Sequence, residues 1–156
     1  MFGKLFKVID NVQNLNQDEI AVFIYYDKDI QRLILRENRI DQLSHGLAAD
    51  GKIIGTYSPI TDISSDGLKF TFEETTVEKI AGEPYNFIDT GDFFTSFRMV
   101  VYKDGFSIVA NDQKEDGSLT AKYGNNILGL TNENKSKLVK EMLPLFRAIT
   151  RKKILA

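Results

Sequence analysis

The chain has no cysteine and no tryptophan, and only one histidine and three prolines among its 156 residues. The absence of cysteine excludes disulfide bonds, thiolate metal sites and cysteine nucleophiles. A lone imidazole, His45, cannot complete the usual zinc ligand sets. His45 also lies at the end of a predicted helix, where the helix dipole favours a cation. We therefore expect no enzymatic activity, no metal and no cofactor.

A strong charge of either sign is also absent, because 20 Lys and Arg residues oppose 22 Asp and Glu residues and give a net charge of −2. Domains that bind nucleic acid usually carry a basic excess or a basic stripe. The main basic cluster here, Arg147 with Arg151–Lys153, suits the C-terminal end of a helix. We expect no specific nucleic-acid binding.

Long apolar runs are missing as well. The longest, Ile20–Tyr26, has seven residues, whereas a membrane-spanning helix needs about 20. The N-terminus has two lysines but neither a long apolar region nor a cleavage site of small residues, as a signal peptide would have. We expect no membrane partner and no signal peptide.

The length and the order of elements predict a single α+β domain over residues 1–156. The expected parts are an N-terminal helical part (1–45), a projecting loop (46–69), a sheet (70–111) and C-terminal helices (118–155).

Helical periodicity is clearest at the two ends of the chain. Apolar residues recur every three or four positions over Phe2–Val12, and a second helix is predicted from Asn16. Asn38 is predicted to cap a short helix that Gly46 ends. The C-terminal helix is predicted at Asn132–Leu155, with Asn132 as its cap, Pro144 inside it and an apolar stripe of Leu138, Met142, Leu145, Phe146 and Ile149.

Strand signals are concentrated in the middle of the chain. Ile30–Glu37 is ambiguous; its compact apolar run favours a buried strand, and a helix remains open. Phe70–Val77 is predicted as a strand. Asp104-Gly105 predicts a hairpin between 97–103 and 106–110. Together these signals predict a mainly antiparallel sheet of about four strands.

A turn precedes a short aromatic segment in the region that follows. Asp89, Thr90 and Gly91 suit the start of a helix, because Asp and Thr accept backbone hydrogen bonds and Gly tolerates unusual dihedral angles. Phe93 and Phe97 then lie four positions apart on one helical face. We interpret these residues as a structural turn that clamps a helix onto the sheet.

Three runs of residues resemble small virion morphogenesis proteins of tailed phages, especially phages that infect Bacteroidota, and head–tail connector and tail-completion proteins. The resemblance covers roughly residues 40–150. The chain departs from the family pattern at Ser44-His45 and in the segment 62–83. The runs are Gln42-Leu43 with Gly46, Ala49–Gly51, Gly55, Tyr57–Pro59 and Thr61; then Phe87–Phe97; then Lys122–Gly124 with Ile127–Asn134.

The resemblance implies a structural protein of the phage neck, assembled in the host cytoplasm into the virion. It would form a ring of copies of itself between the portal and other neck or tail proteins, without catalysis. In such a ring the loop would bury Ile53, Ile54, Tyr57 and Ile60 against a neighbour. The alternatives are a cytoplasmic small-ligand-binding or adaptor domain with an aromatic pocket, and an enzyme of an unrecognised class.

Overall fold

The computed structural model describes residues 2–60, 69–88, 90–114 and 117–156, apart from the side chains of Phe2 and Phe70. It has the predicted α+β class, with N-terminal helices, antiparallel hairpins and a long C-terminal helix. The helices are α1 (Phe2–Gln13), α2 (Gln17–Tyr25), α3 (Lys28–Arg39), α4 (Asp92–Thr95), α5 (Leu119–Tyr123) and α6 (Asn132–Leu155), with 3-10 helices at Leu43–His45 and Asn125–Ile127. The strands are β1 (Lys69–Phe72), β2 (Thr75–Glu78), β3 (Arg98–Tyr102), β4 (Gly105–Val109), β5 (Gln113–Lys114) and β6 (Gly117–Ser118).

Side-chain caps begin the second and third helices. Asn16 Oδ1 accepts hydrogen bonds from the amides of Asp18 and Glu19 at 3.0 and 3.3 Å. Asp27 accepts two equivalent bonds at the start of α3. These oxygens satisfy amides that have no acceptor within the helix. The predicted start of a helix near Asn16 is confirmed.

The strand predicted at Ile30–Glu37 is wrong, because this segment belongs to α3. Ile30 and Ile34 are both buried, and their spacing places them one above the other on a helix. Leu33 and Leu35 pack beside them against the core. The compact apolar run is therefore the inner face of a helix together with its flanks.

Asn38 does not cap a following helix, because it lies in the last turn of α3 and is fully buried. Its amide donates to the carbonyl oxygens of Ile127 at 3.2 Å and Gly129 at 2.8 Å. Only the short 3-10 helix follows, and Gly46 ends it with a φ of 70°. The predicted role of Gly46 is confirmed.

The predicted sheet of about four strands is divided, within the described residues, into three antiparallel pairs. The β3–β4 hairpin turns where Asp104-Gly105 predicted, with Tyr102 opposite Gly105. The single strand predicted at Phe70–Val77 is instead the β1–β2 hairpin. Its turn includes Glu73 at a φ of 52°, a conformation that Glu rarely adopts and that its sequence does not signal.

Residues 46–60 do not project as predicted, because they pair with the segment before α4. Thr56 forms an antiparallel bridge with Pro84. The Tyr57 amide donates to the Glu83 carbonyl oxygen at 3.0 Å. The glycines and polar residues that suggested an open loop form turns that keep this segment against the domain.

The C-terminal helix α6 lies across the other helices. Its N-cap is Thr131, whose hydroxyl accepts from the Asn134 amide at 3.2 Å. The predicted cap Asn132 is therefore wrong, because Asn132 is the first residue of the helix. Pro144 lies inside the helix as predicted. Leu145 of the predicted stripe is 37% exposed. The other stripe residues contribute to the core: Leu138, Met142, Phe146 and Ile149.

The core lies where α2, α3 and α6 meet the β3–β4 hairpin and the aromatic α4. Phe94 is fully buried there, with its ring 5.3 Å from that of Phe72. Arg39 attaches the β1–β2 hairpin to α3, because its guanidinium lies 2.7 Å from the Glu73 carboxylate and 5.1 Å from the Phe72 ring.

Candidate functional site

The only histidine is held by the turn in which it lies. His45 Nδ1 is 3.0 Å from Ser44 Oγ and 3.1 Å from the Ile40 carbonyl oxygen. The Ser44 hydroxyl donates to the same carbonyl. This arrangement completes the hydrogen bonding after α3. Across the described part of the chain, no three His, Cys, Asp or Glu side chains form a group able to hold a metal ion.

Of the predicted clamp residues, Thr90 and Gly91 precede α4, Phe93 lies within it and Phe97 follows it, while Asp89 is outside the described residues. Gly91 has a φ of 87°, in the region that glycine tolerates best. The Thr90 hydroxyl donates to Asp92 at 2.6 Å. The rings of Phe93 and Phe97 are 4.9 Å apart and nearly perpendicular. Phe93 and Phe97 are buried in the core, whereas Thr90 and Gly91 lie at the surface where the chain enters α4.

The four loop residues predicted at an interface divide into two pairs. Ile54 packs against the core, and the Tyr57 hydroxyl donates to Asn86 at 3.0 Å. Ile53 and Ile60 are 51% and 69% exposed. Only the second pair is placed for contact with another molecule. The remainder of the predicted loop, residues 61–68, lies outside the described ranges.

A buried polar seam joins α3 to the start of α6. The Gln42 amide donates to the Gly129 carbonyl at 2.8 Å, and its own oxygen accepts from Asn134 at 2.9 Å. Lys137 Nζ lies 3.8 Å from Glu37 and 3.9 Å from Asp41. Burial raises the pKa of Glu37, and the hydrogen bond and negative charge of Asp41 raise it further. These groups interact with one another, so the seam serves to join the two helices.

An aromatic cavity of about 920 Å³ is lined by Tyr57 and by residues of the segments 79–88, 90–93, 111–114 and 119–123. The Tyr123 ring is 5.4 Å from that of Tyr85 and 5.2 Å from that of Phe87. Phe87 has a φ of 56°, and strained backbone of this kind clusters at functional sites. Three lysines line the cavity beside these rings: Lys79, Lys114 and Lys122.

A second concave surface is an apolar groove of about 1030 Å³ between β4 and α6. Tyr25 lies in it, with its ring 4.9 Å from Phe106, and burial raises the pKa of the Tyr25 hydroxyl. β4 pairs only with β3 among the described strands, and its residues Gly105–Val109 line the groove. The opposite wall is the N-terminal half of α6, with Leu138, Val139, Met142, Leu143 and Phe146.

Helix α1 carries an apolar face that the domain does not cover. This face consists of Leu5, Phe6, Ile9 and Val12, whose exposure ranges from 44% to 67%. On another side, Asn11 Nδ2 donates to the Ile154 carbonyl at 3.1 Å, and Lys7 Nζ donates to the Ala156 carbonyl at 2.7 Å. The helix is therefore attached to the end of α6 by its more polar side. Exposed apolar surface of this kind marks sites of association.

The sequence indicated one of these surfaces and missed the other. The periodicity of Phe2–Val12 predicts an amphipathic helix, although it does not show that the apolar face points outward. The groove is built from residues that are distant along the chain, such as Tyr25, Phe106 and Leu143. No local pattern signals it.

No helix in the described ranges is both long and apolar enough to cross a membrane. Comparisons of the chain with protein-family models, with curated proteins and with solved structures each gave no match.

Proposed function

We propose that this chain is a non-catalytic structural protein of a tailed-phage virion. It forms a ring at the head–tail junction, between the portal and the tail. The observation that carries the proposal is the pair of uncovered apolar surfaces, the α1 face and the groove beside α6. A small domain with two such surfaces is suited to bind two neighbours at once.

The three runs that carry the phage resemblance support the proposal because they meet in the fold. Gln42 of the first run donates to Gly129 of the third at 2.8 Å. The amide of Ala49 donates to the carbonyl oxygen of Asn126, which lies between the two parts of the third run, at 2.8 Å. Phe87 of the second run and Tyr123 of the third have rings 5.2 Å apart. The three runs that resemble the phage proteins are therefore in contact with one another in the fold.

The proposal is tested in purified particles of the phage whose genome encodes the chain. We expect the protein to be present at a fixed copy number per portal, as a closed ring requires. The measurement is quantitative mass spectrometry of particles purified by density gradient, with portal and major capsid proteins as internal references. Absence from the particles, or an amount that varies between preparations, would contradict the proposal.

The second candidate is a small-ligand-binding or adaptor domain, and the aromatic cavity favours it. Its volume of about 920 Å³ lies in the range of ligand sites, which bury aromatic side chains beside a few polar groups. Native mass spectrometry of the purified chain tests this candidate. A bound molecule lost on Phe87→Ala, but retained on the exposed Phe23→Ala, would support ligand binding at the cavity.

A further inference from the structure

We propose that the apolar face of α1 in one copy docks into the groove between β4 and α6 of the next copy. The occupant of the groove is thus a second copy of this chain. This inference rests on the proposed assembly of the protein with itself, and it names the two surfaces that meet.

The dimensions of the two surfaces agree. Helix α1 has 12 residues, so it is about 18 Å long at 1.5 Å per residue. The groove follows α6 from Lys135 to Phe146, which corresponds to about 17 Å of helix. The surfaces also agree in character, because the α1 face and the exposed Val139 and Leu143 of the wall are aliphatic or aromatic. An amphipathic helix laid in an apolar groove is a recurrent mode of recognition.

One pair of charges beside the two surfaces is opposite in sign, while the other charges of α1 are Lys4 and Lys7, of which Lys7 binds the Ala156 carbonyl. Asp10 lies on α1 and Lys135 lines the groove. Neither forms an ion pair with another residue of the described chain. Rim charges of opposite sign fix the register of a contact and exclude wrong partners.

Attachment of α1 to the far end of α6 directs this contact to another copy. Helix α1 binds Ile154 and Ala156, whereas the groove ends at Phe146, about 12 Å earlier along the axis. The helix cannot occupy its own groove while these bonds hold. Because the two surfaces differ, the contact is head-to-tail, and repetition produces a ring or a filament.

Two charge substitutions test the pairing in the full chain. Phe6→Glu alters the helix face and Val139→Glu alters the groove, and both side chains are more than 60% exposed, so the fold should be retained. The matched control is Phe23→Glu on α2, which is 68% exposed and lines neither surface. Far-UV circular dichroism melts verify folding, and sedimentation velocity over a range of concentrations measures association.

We expect the wild-type chain and Phe23→Glu to self-associate with increasing concentration. Each of the other two variants should associate at least about tenfold more weakly. An equimolar mixture of Phe6→Glu and Val139→Glu should form dimers and stop there, because it retains one intact helix face and one intact groove. This dimer limit is specific to a head-to-tail contact.

The inference is overturned if the wild-type chain stays monomeric, if either surface variant associates like wild type, or if the mixture forms no dimer. A monomeric wild-type chain would mean that α1 closes onto its own groove or that the groove binds a different partner, and unchanged association of a variant would mean that copies meet through another surface. Incorporation into particles is measured separately, so the proposed function can hold when this pairing fails.

Discussion

At the scale of single residues, the fold requires glycine where two backbone segments lie too close together for a side chain. Gly46 and Gly51 both have a positive φ, of 70° and 78°. A Cβ on Gly46 would lie 2.6 Å from Pro84 Cβ and 2.7 Å from the Tyr85 carbonyl oxygen, whereas one on Gly51 would meet nothing within 4 Å. The two positions therefore share the backbone strain and differ in the steric clash.

We predict that Gly46→Ala lowers the free energy of unfolding by about 3 kcal/mol, since it adds overpacking to a left-handed backbone. Gly51→Ala should cost only about 1 kcal/mol, from the backbone alone. Urea unfolding of the two variants beside wild type measures the difference. Equal losses would show that segment 46–60 does not lie against 84–85 in solution.

Asp112 is a second residue whose role depends on contacts that the sequence does not show. Hydrogen bonds from the Ser118 and Thr120 hydroxyls and from the Thr120 amide lower the pKa of Asp112 to about 2. Ser118 is also the N-cap of α5. The carboxylate therefore fixes the entry to that helix.

The lowered pKa of Asp112 predicts a loss of stability in acid. The unfolded chain takes up the Asp112 proton near pH 3.9 and the folded chain only near pH 2, so this contribution is complete above about pH 4 and is lost as the pH falls to about 2. Asp112→Asn should lower the free energy of unfolding at pH 7 by about 1 kcal/mol, after allowance for solvent screening. Its deficit relative to wild type should shrink below pH 4. A deficit that is unchanged between pH 7 and pH 2 would contradict this role.

At the scale of elements, the sequence predicted those with strong local signals. The helix start near Asn16, the Asp104-Gly105 hairpin and the apolar stripe of α6 apart from Leu145 are confirmed. It failed where contacts between distant residues decide the structure. Ile30–Glu37 is a helix because Asp27 caps it and the core accepts its Ile30 and Ile34 face, and neither fact can be derived from a short apolar run.

The polar seam between α3 and α6 contains one lysine and three carboxylates. Loss of the lysine and loss of the buried carboxylate should change stability in different ways. Lys137 is the cation shared by Glu37, Asp41 and Glu133. We predict that Lys137→Met lowers the free energy of unfolding by about 1–2 kcal/mol at pH 7, because it removes the cation that lies within 4 Å of all three carboxylates. Glu37→Gln should be neutral or stabilising, because it removes a buried charge.

The pH dependence of the free energy of unfolding tests whether Glu37 is the buried carboxylate. Because the pKa of Glu37 is raised in the folded state, the folded chain binds more protons than the unfolded chain above pH 4.5, and this residue makes stability fall as the pH rises. Glu37→Gln should therefore gain on wild type between pH 4.5 and pH 7 in chemical denaturation. The more exposed Glu133→Gln serves as the control. A gain of equal size in both variants would show that Glu37 is not the buried member of the seam.

At the scale of the whole molecule, the chain combines a well-packed domain with one helix whose apolar face remains uncovered. The sequence revealed the amphipathic pattern of α1, whereas its direction and the groove depend on the complete fold. Outside its polar bonds to Ile154 and Ala156, α1 is mostly exposed, while α3 is fixed by buried Ile30 and Ile34. Local stability should differ accordingly, because elements with few buried apolar contacts open without global unfolding.

We predict that amide hydrogens of α1 exchange at least about a hundredfold faster than those of α3 in dilute protein. At concentrations where copies associate, α1 should become protected, because docking in a neighbouring groove adds the burial that α1 lacks in the isolated chain. Hydrogen exchange followed by mass spectrometry of proteolytic peptides measures both helices in one sample, and α3 is the internal reference. With Val139→Glu the protection of α1 should not rise with concentration, since the partner groove is altered. Protection of α1 equal to that of α3 in dilute protein would mean that α1 is a fixed part of the domain and that its apolar face is not a surface completed by assembly.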